Sequence, residues 1–322
     1  MIKLIDSTLA LLDEYDITKE QILEYCSYMK EIGIDELEIS KKVYHILKVL
    51  PEGFKFYLHL EPYETTYDYI GVYRYFQNAY HQQEKVIHEI QMNDVKELLY
   101  IRDKGDWEQV RITGLDDVLC YDYIYVFQEI KKVFNSKRVI LCPEDLFFCA
   151  TAIAVEWIIN YGEIVNVAFA GCGGKAATEE VYMALNITKR YKPNQSFHGF
   201  IKLKAWLEEI IQKKIESFKP IIGDKIFQVE SGVHVDGYLK NPMNYVAYPP
   251  EKLGKKTEIV LGKHSGSKSI VTKCKELRLE PLEYEKILEL LNKVRCKSVQ
   301  KRNSITESEF LHLYEEVCEN TL

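Results

Sequence analysis

Over roughly the first 190 residues, short apolar runs alternate with longer stretches in which apolar positions recur at helical spacing. Ile2-Lys3-Leu4-Ile5 predicts a strand. Thr18-Lys19-Glu20-Gln21 then opens a helix, with Thr18 as N-cap and Gln21 at the capping-box position. Leu23, Tyr25, Cys26, Met29 and Ile32 supply its apolar stripe, and Gly33 ends it. Strand-like runs follow at 35–39, 54–60, 86–90, 109–112, 138–141 and 164–169. Helical stretches lie between most of them, including 123–134 and 150–161. Strands alternating with helices imply parallel βαβ units, and six or more such units favour a closed barrel over an open sheet. The alternation occupies fewer than 200 residues, whereas a (β/α)₈ barrel typically takes about 250. The expected fold is therefore α/β, a shortened or degenerate TIM-type (β/α) barrel. The stretch 67–83, rich in Tyr, is its least legible part.

After Lys192-Pro193-Asn194 the pattern changes. A helix is expected over about 198–218, followed by a short strand and an irregular stretch with Gly232, Gly237, Pro242, Pro249 and Pro250. From Ser267 onward the chain reads as two or three helices with a stripe of Leu288, Leu291 and Val294. The expected organisation is a barrel over 1–195, a linker helix and lid segment over 196–266, and a small C-terminal helical domain over 267–322.

Composition narrows the function classes. Forty-two Lys and Arg against forty-nine Asp and Glu give a net charge of −7, so no global attraction to nucleic acid or anionic lipid is expected. The longest apolar stretch, 147–159, is interrupted by Cys149, Thr151 and Glu156 and falls short of the ~18–20 apolar residues of a membrane span. The first residues carry no apolar stretch leading to a small-residue cleavage site, which predicts a cytoplasmic protein. The eight cysteines are scattered with no CxxC, which predicts buried free thiols and no zinc site. Gly171 to Gly174 lacks phosphate-loop spacing and reads as a strand-to-helix turn. His59 and His88 lie on predicted strands with nothing pairing them and read as structural.

The densest motif is Glu230-Ser231-Gly232-Val233-His234-Val235-Asp236-Gly237, followed by Asn241-Pro242-Met243-Asn244-Tyr245 and then Val260-Leu261-Gly262-Lys263-His264-Ser265-Gly266. In these segments, and in the tail through Val294-Arg295 and Ile305 to Phe310, the chain resembles the homocitrate synthase and isopropylmalate synthase family. Within that family it looks similar to the nitrogen-fixation type of homocitrate synthase. The resemblance is continuous from about residue 196 to the end. Such enzymes join an acyl-CoA to a 2-oxo acid in a barrel that holds a divalent metal, and a lid from the neighbouring subunit brings a His and a Tyr to the acyl-CoA. The resemblance implies that His234 and Tyr245, eleven residues apart, are those catalytic lid residues. Glu230, Ser231 and His264 are candidate substrate-binding residues.

The barrel half resembles the family more faintly and departs from it where the chemistry sits. Where the family reads D-[ST]-TLRDGEQ, this chain has Asp6-Ser7-Thr8-Leu9-Ala10-Leu11, with Ala10 for the Arg and Leu11 for the metal-binding Asp. Against HAHND it has Leu141-Cys142-Pro143-Glu144-Asp145, with Leu141 and Pro143 for the two His, and Ala170 stands for an Asn. Leu, Pro and Ala side chains cannot coordinate a hard cation, so no metal is expected in this chain. The resemblance then implies an omega-type subunit of a two-chain homocitrate synthase, which condenses acetyl-CoA with 2-oxoglutarate. It would lend its lid to an alpha-type partner with an intact barrel and a bound Mg or Mn, and would be inactive alone. A non-catalytic pseudoenzyme that stabilises or regulates a synthase partner, and an isopropylmalate or citramalate synthase-like acyltransferase, are the alternatives.

Overall fold

The computed structural model describes residues 2–78, 84–97, 107–134, 138–188, 191–193 and 197–319. They form two compact units, divided after Gly223.

The first unit is a complete barrel. Strands β1 (Lys3–Asp6), β2 (Glu36–Ile39), β3 (Lys55–Leu60), β4 (Arg74–Gln77), β5 (Val86–Met92), β6 (Val110–Gly114), β7 (Val139–Pro143) and β8 (Ile164–Val167) are parallel neighbours in chain order. The ring closes where β1 pairs with β8, Lys3 opposite Ile164 and Asp6 opposite Val167. Helices α1 (Lys19–Ile32), α2 (Lys41–Leu47), α3 (Tyr123–Phe134), α4 (Ala150–Asn160) and α5 (Thr178–Ile187) follow β1, β2, β6, β7 and β8. The shortening thus lies in the connections. Among the described residues, no α-helix follows β3, β4 or β5, and all eight strands are kept. The strand that sequence pattern did not disclose is β4, inside the Tyr-rich stretch. With both sides covered it needs no polar alternation, and Tyr75, Phe76 and Gln77 are all buried.

Side chains from alternate strand positions fill the barrel. Ile5, Tyr57, Phe76, Ile87, Ile140 and Ile164 make one interior cluster, and the Tyr57 and Phe76 rings stack at 5.4 Å. On the outside, α1 has the expected capping box, with Gln21 N donating to Thr18 Oγ1 and Thr18 N to Gln21 Oε1. Its buried face is Ile22, Tyr25, Cys26, Met29 and Ile32, and Leu23 is exposed. Helix α6 (His198–Ile211), shorter than expected, lies on α1, where Trp206 packs 4.7 Å from the Tyr25 ring and donates to Gln21 O at 2.9 Å.

The second unit contains a parallel pair of short strands, β9 (Gln228–Val229) and β10 (Glu258–Ile259). Its helices are α7 (Gly232–Lys240), α8 (Ser267–Glu276), α9 (Tyr284–Lys301) and α10 (Glu307–Glu319). Leu261, Ile270, Leu290, Leu291, Val294, Phe310 and Val317 form its core. The stripe on α9 runs through Leu290, Leu291 and Val294; Leu288 is exposed, because it lies off the face that meets α8 and α10. The expectation of uniformly buried thiols is also corrected. Cys26, Cys142 and Cys274 are buried, Cys149, Cys172 and Cys318 are partly covered, and Cys120 and Cys296 are exposed, all as free thiols. No helix among the described residues is long and apolar enough to cross a membrane.

Candidate functional site

The carboxyl ends of the barrel strands surround a cavity of about 450 Å³, the usual position of a site in this architecture. Its floor is a charge network. Arg111, on β6, donates through Nη1 to Glu38 Oε2 of β2 at 2.8 Å. Its Nε and Nη2 bind Glu89 of β5, and its guanidinium lies 3.6 Å from the centre of the Phe76 ring. Glu38 also accepts from Ser7 Oγ at 2.7 Å and Asn166 Nδ2 at 3.3 Å. His59 Nε2 stands 3.5 Å from Glu89, so the sequence reading of this histidine as an unpaired strand residue is corrected. Burial alone would raise the Glu89 carboxyl, but Arg111 and then His59 outweigh it and hold it down at about 2.

A second pair closes the other side. Lys175 Nζ donates to Glu144 Oε1 at 2.7 Å, and Gln91 Nε2 donates to Glu144 Oε2 at 3.1 Å. Lys175 is delivered by the turn Phe169–Gly174, where Ala170, Gly171, Gly173 and Gly174 all have positive φ. This is the strand-to-helix turn expected from the sequence. It is pinned by Phe169 N on Thr8 Oγ1 at 2.7 Å and Ala170 N on Glu179 Oε2 at 2.9 Å.

These residues do not fit a divalent metal of the kind the family barrel holds. Ala10 and Leu11 line the cavity where the Arg and ligand Asp are expected, and carry no donor. Asp6 is turned to its own backbone and neighbours, accepting from Thr8 N at 2.9 Å and from the Tyr25 and Thr178 hydroxyls, both at 2.5 Å. At β7 the register differs by one from the sequence comparison. Side chains alternate along a strand, and with Ile140 inside the barrel the positions facing the cavity are Cys142 and Glu144, so Leu141 and Pro143 face away. Glu144 is already bound to an ammonium, and burial pushes the Cys142 thiol up, which disfavours the thiolate a metal needs. Among the described residues no three His, Cys, Asp or Glu side chains come together as a metal site.

The second unit carries the predicted lid residues. His234 and Tyr245 are brought together, their rings 5.8 Å apart and inclined at 54°. His234 projects from α7, and Tyr245 follows the turn Pro242–Asn244, with Tyr245 N donating to Pro242 O at 3.0 Å. Both side chains are exposed, as are Val233, Leu239 and Met243 near them. Glu230 and His264 also meet, but through the backbone: His264 N donates to Glu230 Oε1 at 2.9 Å. The two glycine motifs pack directly, since a Cβ on Gly232 would come within 2.8 Å of Gly266 Cα. Ser231 precedes α7 without a side-chain cap, and His264 is exposed. Arg295, quoted in the sequence only as part of the resembling tail, donates through both Nε and Nη2 to Ser265 O, at 3.0 and 2.6 Å, and so ties α9 to the loop of His264.

Residues 221–302 match the family model for the homocitrate synthase post-HMGL domain-like family. Along its length the chain is similar to the omega subunit of homocitrate synthase from Clostridium pasteurianum, at 28% identity over 94% of this chain and 91% of that one. It is 34% identical to 2-isopropylmalate synthase 2 of Caldanaerobacter subterraneus subsp. tengcongensis over 64% of this chain, which spans 55% of that enzyme. It is 33% identical to homocitrate synthase AksA of Methanocaldococcus jannaschii over 55% of this chain, spanning 43% of that one. Among solved structures, hydroxymethylglutaryl-CoA lyase from Pseudomonas aeruginosa superposes with a TM-score of 0.54 at 12% identity, over 66% of this chain and 94% of that one. That likeness is one of fold alone. The second unit thus matches the homocitrate synthase model, and nearly the whole chain is similar to an omega subunit of that enzyme.

Proposed function

We propose that this chain is an omega-type subunit of a homocitrate synthase, lending His234 and Tyr245 to the barrel of a metal-binding alpha-type partner that condenses acetyl-CoA with 2-oxoglutarate. The observation that carries this reading is a contrast between the two units. His234 and Tyr245 are close together and exposed in the second unit, while the charged groups lining the barrel cavity, Glu38 with Arg111 and Glu144 with Lys175, satisfy one another. An imidazole can take a proton near pH 7, and a phenol hydroxyl can donate to a developing enolate oxygen, so the pair suits removal of a proton from an acyl-CoA. On this reading the divalent ion that polarises the 2-oxo carbonyl, Mg or Mn, is held by the partner's barrel rather than by this one.

The test is reconstitution. The chain alone is inactive, mixing with an alpha-type subunit raises acetyl-CoA turnover, and His234→Ala lowers kcat of the mixture without releasing metal. Condensation by the purified chain alone overturns the division of labour. Full activity of the His234→Ala mixture instead favours the second reading, a pseudoenzyme that stabilises or regulates its partner. The mutually paired charges of the barrel cavity support that reading equally. Turnover with 2-oxoisovalerate or pyruvate in place of 2-oxoglutarate would move the assignment to isopropylmalate or citramalate chemistry.

A further inference from the structure

Gly237 lies inside α7, five residues after its start, with a backbone φ outside the left-handed region. Nothing in the helix itself asks for glycine there. Glycine is the poorest helix former after proline, so its presence costs stability that alanine would return. The reason lies above it. A Cβ built on Gly237 would overlap the hydroxyl and Cζ of Tyr245 and come within 2.7 Å of its Cε2. The Tyr245 ring is therefore laid against bare helix backbone, one turn from His234, and this brings the two rings to 5.8 Å.

We infer that Gly237 is a positioning residue for Tyr245: its missing side chain is the seat of the phenol. This rests on the proposal that Tyr245 acts at a shared site, and it deepens that proposal by adding a residue that touches no substrate. The obstructed atoms are the far end of a mobile side chain rather than backbone. A methyl group at 237 therefore leaves the fold intact and swings Tyr245 away. Gly237 O also accepts the capping bond from Asn241 N at 2.9 Å, and alanine preserves that carbonyl.

The experiment is a double-mutant cycle in the reconstituted mixture, with Gly237→Ala, Tyr245→Phe and both together. Gly237→Ala is expected to leave the melting temperature unchanged or higher. It lowers kcat roughly ten- to hundredfold while KM for the 2-oxo acid stays, as misplacement of a reacting group does. On the Tyr245→Phe background it adds no further loss. In the isolated chain, with His and Tyr selectively labelled, the nuclear Overhauser contact between the His234 and Tyr245 rings disappears on Gly237→Ala. An unchanged ring contact, a lowered melting temperature, or a kcat loss that adds fully to that of Tyr245→Phe overturns the inference. If instead the contact is lost and neither variant changes kcat, the seat is real and the catalytic reading of the lid fails.

Discussion

Glu38 and Arg111, from opposite parts of the barrel, meet at 2.8 Å with about 8% of each side chain exposed. Arg111 also holds Glu89, so one guanidinium satisfies two carboxylates inside the ring of strands. Removing a single partner from such a group leaves uncompensated buried charge, which costs about 3–5 kcal/mol. Arg111→Met is accordingly expected to lower the unfolding free energy by roughly that amount in urea titration. Triple replacement with Glu38→Gln and Glu89→Gln should recover much of the loss. A single variant as stable as the wild type would show that the network contributes nothing.

The same pairing sets an acid limit. The Glu89 carboxyl sits at about 2 in the folded chain against an ordinary 4.5. A depressed carboxyl stabilises the fold above its unfolded value and loses that contribution as pH falls through the folded one. The wild type should therefore lose stability between pH 4.5 and 2 more steeply than Glu89→Gln. Parallel curves for the two proteins over that range would contradict the pairing.

Divalent ions provide a test of the barrel alone. A metal that binds the folded chain at a hundred times its dissociation constant raises stability by about 2.7 kcal/mol. With Lys175 bound to Glu144 and no donor at Ala10 or Leu11, magnesium, manganese and EDTA should each leave the melting temperature of the isolated chain unchanged. A shift of several degrees with manganese, reversed by EDTA, would reveal a site built from other residues.

The lid motifs make a mechanical prediction of their own. Glu230 holds the backbone N–H of His264, and a hydrogen bond to a charged acceptor contributes about 1.5–3 kcal/mol. Glu230 is half-exposed, so Glu230→Ala should cost the second unit nearer ~1 kcal/mol, read as a lower denaturation midpoint. Glu230→Gln keeps an acceptor oxygen and should recover part of it. No change in either variant would show that this hydrogen bond does not hold the loop.

Much of this fold was legible because its strands are apolar runs between helices with strong ends: Thr18 and Gln21 bracket the start of α1, and α3 occupies Tyr123–Phe134 as periodicity predicts. What was lost depends on neighbours far away in sequence. Strand β4 is covered on both faces and flanked by short connections, so no alternation marks it. His59 looked solitary because its partner, Glu89, lies thirty residues on. The register at β7 could not be set by motif alone, since only the pleat of the folded strand decides whether Leu141 or Cys142 faces the cavity. That His234 and Tyr245 lie close together was legible because motif spacing and local helix geometry coincide there.

Glu179 gives the last prediction. It is wholly buried at the start of α5, its Oε2 accepts from Ala170 N at 2.9 Å, and its Oε1 has no hydrogen-bond partner. Lys219 stands 3.9 Å away and is engaged at 2.6 Å by Glu180. Burial outweighs Lys219 and raises the Glu179 carboxyl to about 7 from an ordinary 4.5. The unfolded chain gives up this proton first, so between pH 4.5 and 7 the folded state binds more protons and stability falls as pH rises. Below that window the group contributes no difference; above it the penalty is complete, on the order of 3 kcal/mol. Glu179→Gln removes the titration and keeps an acceptor for Ala170 N. The variant should match the wild type near pH 4.5 and exceed it by that margin at pH 8, measured by urea denaturation across the range. A wild type whose stability relative to the variant is flat from pH 4.5 to 8 would show that water or a shifted Lys219 relieves the buried charge.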